Sequence, residues 1–108
     1  MVLIVSESWW PAGKSAEVGK IYLDVMKKYP DDRSIAKPLV PASAHATKEG
    51  FHAITISSVK PGKVKEALDI GTNRLLMFSS AIEEYRYELY IAYDAVEALS
   101  IVGLKAPE

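Results

Sequence analysis

The chain contains no cysteine, which excludes disulfide staples and thiolate metal sites and removes one route to a small secreted scaffold. It also lacks an excess of either charge. Lysine and arginine together number 13 against 14 aspartates and glutamates, a net charge of -1. The longest basic run is Lys27-Lys28, so the concentrated cationic face that nucleic-acid binding requires is missing. No apolar run approaches the roughly 20 residues of a membrane span. The opening run Met1–Val5 is too short for the core of a signal peptide and has no basic lead-in. Repeats, low-complexity tracts and linkers are absent as well. Together these absences predict a cytoplasmic protein with neither nucleic acid nor membrane as a partner.

What is present is ordinary globular material: 49% apolar and 25% charged residues over 108 positions, enough for one domain spanning residues 1–108. Met1-Val2-Leu3-Ile4-Val5 reads as a central strand, apolar on both faces and extending towards Trp9 before Pro11-Ala12-Gly13 stops it. Val18, Ile21, Tyr22, Val25, Met26 and Tyr29 then recur at helical spacing. Lys27 and Lys28 sit at the negative end of the helix dipole, and Pro30 ends the segment. Ile35–Val40 reads as a short strand that Pro38 confines to an edge. Pro41–Glu49 reads as a short helix, with Pro41 in the first turn and Gly50 as the stop.

Phe51–Val59 alternates as a strand, with Ile54 and Ile56 on one face and Phe51, Ala53, Thr55 and Ser57 on the other. A longer helix follows, with Val64, Ala67, Leu68, Gly71, Leu75, Phe78 and Ile82 as its stripe and Ile70, Met77 and Ala81 beside it. Tyr85–Tyr93 alternates again, with Tyr85, Tyr87, Leu89, Ile91 and Tyr93 opposite Arg86, Glu88, Tyr90 and Ala92. Asp94-Ala95-Val96-Glu97 has the spacing of a capping box opening a short helix. That helix is apolar nearly all round, so burial between layers or against another chain is expected.

The order βαββαβ with right-handed crossovers implies an α+β fold. It is a ferredoxin-like antiparallel sheet with both long helices on one face, plus a short C-terminal helix. The second sheet face then has no cover of its own. On this reading it carries Phe51, Ala53, Val59, Tyr90 and Ala92, several hundred Å2 of apolar surface. A homodimer joined face to face would cover it.

In this pattern the chain resembles the dimeric α+β barrel superfamily. The residues behind the resemblance are the strand Met1–Val5, the stripes of the two long helices, and the strands Phe51–Val59 and Tyr85–Tyr93. The family pairs ferredoxin-like domains sheet to sheet and includes cofactor-free monooxygenases, isomerases and proteins of unknown role. Pro41–Gly50 departs from the tight hairpin usual there.

Several residues invite chemical readings. Gly13-Lys14-Ser15 has the ending of a phosphate-binding loop, but Ser8 stands where that motif needs glycine and Trp9-Trp10-Pro11 are too bulky to wrap a phosphate. What is left is a helix start near a lysine, able to hold an anion or simply solvated. His45 and His52 lack the spacing of a metal pair, so no metal and no cofactor is expected. His52 reads as a partly buried, hydrogen-bonded side chain and His45 as a surface one. Trp10 could line a pocket or pack an interface. Arg86, Glu88 and Tyr90 would share a face with Thr55 and Ser57, a mix of apolar floor and few polar groups that suits a small-molecule site. The competing reading is a solvated cross-strand charge set.

The expectation is thus a homodimer, or a higher oligomer, that binds a small apolar or aromatic ligand or acts as an interaction protein. Its candidate ligand residues are Trp10, His52, Thr55, Arg86, Glu88 and Tyr90. The enzymatic alternative is a cofactor-independent monooxygenase or isomerase, with His52 or Tyr90 moving a proton and Arg86 holding an oxyanion. A third reading is a structural oligomer assembled through the terminal helix.

Overall fold

The structure, a computed structural model, describes residues 1–105 and 107. Its elements run β1 (Val2–Trp10), a 3-10 turn (Ala12–Lys14), α1 (Ser15–Lys28), β2 (Ala36–Thr47), β3 (Gly50–Val59), α2 (Val64–Ala81), β4 (Arg86–Tyr93) and α3 (Ala95–Ile101). The result is α+β: one open four-stranded sheet in the order β2-β3-β1-β4, with three helices. Every described pairing is antiparallel.

β1 lies inside the sheet and fixes its two faces. Ser6 pairs with Thr55 and Leu89, and Val5 pairs with Ile56 and Tyr90. Directly opposed residues share a face. One face therefore carries Ile4, Ser6, Ser8 and Trp10 with Ala53, Thr55, Ser57, Leu89 and Ile91. The other carries Leu3, Val5, Glu7 and Trp9 with His52, Ile54, Ile56, Arg86, Glu88, Tyr90 and Ala92.

The two long helices lie over the first face. Their stripes form the core: Val18, Val25, Leu75, Phe78, Ile82 and Tyr85 are buried together, with Trp10, Ile21, Met77 and Leu89 packed against them. Gly71 belongs here for a steric reason. A Cβ at that position would sit 3.1 Å from a Leu89 methyl, so the helix approaches the sheet where it has no side chain.

Three sequence expectations need correction. Pro41–Glu49 is strand, not helix: Ser43 to Thr47 pair with Ile54 to Gly50, and Lys48-Glu49 form the tip of a hairpin. Cross-strand pairing with Phe51–Ile54 overrides the local helix signals. The prolines act instead on the ladder. The register shifts between Pro38 and Val40 and again between Val40 and Ser43, at the sheet edge, where a residue without an N–H is tolerated. Second, Phe51, Ala53 and Val59 face the helices rather than the open side; Ile54 and Ile56 take the open side. Third, α3 forms with both bonds of its capping box. Glu97 N donates to Asp94 Oδ1 at 2.9 Å and Asp94 N donates to Glu97 Oε1 at 3.3 Å. Yet none of its residues is buried.

Two glycines predict opposite responses to the same change. Gly50 has φ +139°, and a Cβ there would collide with the Trp10 carbonyl oxygen. Gly50→Ala is expected to destabilise the protein by about 2–4 kcal/mol. Gly19 lies inside α1 with nothing within 4 Å of its missing Cβ, and Gly19→Ala is expected to stabilise by about 0.5–1 kcal/mol. Urea unfolding of both variants checks the pair, and a like sign for the two would contradict it.

Candidate functional site

A cavity of about 360 Å3 opens between the sheet and the two long helices. Its cause is visible in residue size. The floor is made of small side chains, Ser6, Ser8, Ala53, Thr55 and Ser57, and the roof above it includes Gly19 and Ala67. Small residues facing small residues leave space that larger aliphatics would fill. At the β1 C-terminal end the packing closes around aromatics. Phe51, Trp10, Tyr85 and Phe78 stand in a row, successive centroids 6.0, 6.1 and 4.9 Å apart and each plane within 11° of the next. Rings stacked on one another in this way close that end with apolar surface.

Several of the cavity's hydroxyls are already in hydrogen bonds. Ser6 Oγ and Thr55 Oγ1 are 2.6 Å apart across the floor. Trp10 Nε1 donates to Ser15 Oγ at 3.1 Å. Burial pushes the pKa of the Tyr85 phenol up to about 12, with the Ser8 hydroxyl acting weakly in the opposite direction, so the phenol is neutral at any physiological pH. At one border Arg74 donates from Nε and Nη2 to the Tyr29 carbonyl, at 2.9 and 2.6 Å, and Nη2 reaches Asp31 Oδ1 at 3.2 Å. Its charge is thus spent on holding the end of α1 to α2. Asp31 and Asp32 border the same end. Among the described residues no histidine, lysine or glutamate lines the cavity.

Of the six residues singled out in the sequence, the structure brings only Trp10 and Thr55 to this cavity. His52, Arg86, Glu88 and Tyr90 occupy the opposite face of the sheet, because the register sets Thr55 against Ser6 and Tyr90 against Val5. The predicted sharing of one face by Thr55, Arg86, Glu88 and Tyr90 is therefore wrong. A proton-transfer role for His52 or Tyr90 towards a molecule in the cavity is excluded by the sheet between them.

On that face His52 and Tyr90 belong to a separate cluster built around Glu7. Glu7 accepts from Tyr90 Oη at 3.0 Å and lies 3.0 Å from His52 Nε2, one partner on each carboxylate oxygen. The bond to Glu7 also holds the Tyr90 phenol above its usual range. Trp9 stacks on the His52 ring at 5.0 Å and His45 meets it edge-on at 4.9 Å. As expected, His52 is partly buried and hydrogen-bonded, and His45 is exposed.

Sequence reasoning missed Ser6, Ser8, Tyr85, Ser15 and Arg74. A signal for the first two was present: serines of the same parity as Trp10 interrupt an apolar central strand, where a filled core would carry branched aliphatics.

No protein-family model matches the chain, and no curated protein matches it. Among solved structures, one described as "De novo designed protein Foldit4" superposes with a TM-score of 0.54, covering 86% of this chain and 96% of that one at 8% identity. At that identity the likeness is one of fold alone.

The Tyr85 phenol makes stability depend on pH in a definite direction. Unfolded, it ionises near 10; folded, near 12. Its contribution is complete below pH 10 and is lost as pH rises towards 12, since only the unfolded chain releases the proton readily. Unfolding free energy is expected to fall over this window, and Tyr85→Phe should flatten the fall. Denaturant titrations from pH 8 to 11.5 on both proteins measure the difference.

Proposed function

We propose that this protein is a ferredoxin-like ligand-binding domain that holds a small, neutral, apolar or aromatic molecule between its helices and its sheet. On the same reading it pairs with a second copy through the open sheet face, as dimeric α+β barrels do. The cavity carries the proposal. Its volume of about 360 Å3 falls in the range of roughly 300–1,000 Å3 typical of small-molecule pockets. Its surface combines an end closed by stacked rings with the Ser6–Thr55 hydroxyl pair. That combination suits an apolar or aromatic molecule with an oxygen at its edge. An anionic guest would find no free counter-charge: Tyr85 is neutral and Arg74 is committed to Tyr29 and Asp31. Binding rather than turnover fits this interior, where the floor presents hydroxyls without an adjacent base.

Two dimensions support the pairing. The radius of gyration is 15.4 Å, against about 13 Å for a compact chain of this length. The exposed surface is 7244 Å2, about 1,300 Å2 more than a monomer of this mass usually leaves in water.

Titration with a neutral fluorescent aromatic, 1-aminoanthracene, tests the cavity. Saturable binding is expected. Thr55→Phe, which fills the floor, should weaken it at least tenfold, and Leu23→Gln on the exposed side of α1 should leave it unchanged. Absence of saturable binding, or equal affinity in Thr55→Phe, would remove the proposal.

A further inference from the structure

We infer that α3 is an exchange arm: in the paired protein, the α3 of each copy lies on the open sheet face of the other. The inference rests on the face-to-face pairing proposed above and adds the element that holds it.

The argument begins with a helix that should not stand alone. Helices shorter than about 12 residues are marginal in water without tertiary packing. α3 has seven residues, none of them buried. Its shape is nonetheless fully specified. The capping box closes its first turn. At the other end Gly103, at φ +78°, lets Leu104 N bond back to the Leu99 carbonyl at 2.8 Å. The chain has defined this helix at both ends and left its apolar surface in water. Val96, Ile101, Val102 and Leu104 are 62%, 65%, 67% and 60% exposed. Only Glu97 and Leu99 are partly covered, besides the capping Asp94. A patch of this kind marks an interaction surface.

The occupant is a second copy because the same chain offers the matching surface. The open sheet face ends in an apolar field of short side chains, Leu3, Val5, Ile56 and Ala92. This field lies where β4 hands over to α3: Ala92 opposes Leu3, and Tyr93 opposes Val2 one residue on. The chain's own α3 touches the sheet lightly, along β4. A half-covered apolar sheet field and an exposed apolar helix thus sit side by side in each copy, and exchange between copies covers both. The surplus of about 1,300 Å2 exceeds the roughly 800 Å2 per partner that a specific dimer buries.

Sedimentation over a dilution series reads the result. The native chain should be a dimer. Ile101→Glu and Val102→Glu change side chains that are about two-thirds exposed, so the monomer keeps its circular dichroism while dimerisation weakens at least tenfold. Ile56→Glu, on the sheet face, should weaken it likewise, and Leu23→Glu, 63% exposed on α1, should not. A native chain that is monomeric at the highest concentration overturns both the pairing and the arm. A dimer that responds to Ile56→Glu but not to Ile101→Glu overturns the arm and leaves the pairing standing. Since the chain has no cysteine, mixing Ile101→Cys and Ile56→Cys chains with a short bismaleimide provides a direct readout. A crosslinked heterodimer is expected, and its absence places α3 elsewhere and overturns the docking.

Discussion

The double pairing of β1 is the constraint on which the rest of this structure depends. A strand inside a sheet assigns every neighbour to a face, and a slip of one residue would exchange the two faces entirely. Here Ser6 meets Thr55 on one side and Leu89 on the other. That single register puts the hydroxyls under the helices. It also puts Glu7, His52, Arg86, Glu88 and Tyr90 on the open side. The cavity and the polar cluster are separate because of it.

The cavity follows from an uneven distribution of size along the helix-facing side. Trp10, Phe78 and Tyr85 fill one end with parallel rings, and Arg74 ties α1 to α2 through the Tyr29 carbonyl. Between these supports the floor is serine, threonine and alanine. The rigid ends hold the helices at a distance that the middle does not fill. Such a gap costs the dispersion contacts that a filled core would make. Its lining would regain those contacts with any apolar molecule that filled it.

The open face has a different character. A carboxylate in the middle of a sheet face would ordinarily resist burial. Glu7 has a partner on each of its oxygens, both from its own chain, so the face can be covered without stranding it. The molecule measures 46 × 32 × 19 Å along its principal axes. The smallest dimension is that of two layers, sheet and helices. On the open side, Val5 is buried by its neighbours and Ile54 and Ile56 are half-covered.

The sequence alone determined the elements whose signals are local. The stripes Val18–Val25 and Ala67–Leu75–Phe78, the alternation of Tyr85–Tyr93, the edge character of Ile35–Val40 and the Asp94–Glu97 capping box all stand in the structure as periodicity and spacing implied. These signals rest on interactions within four residues of one another. Only the tertiary structure decided what depends on residues distant in the chain. Pro41–Thr47 is a strand because Phe51–Ile54 lies beside it, whatever its local preference. Thr55 faces Trp10's cavity, and Tyr90 faces away, because of a register that no local pattern encodes. Alternation divides a strand into two sets of residues, but which set meets the helices is fixed only when the strands pair.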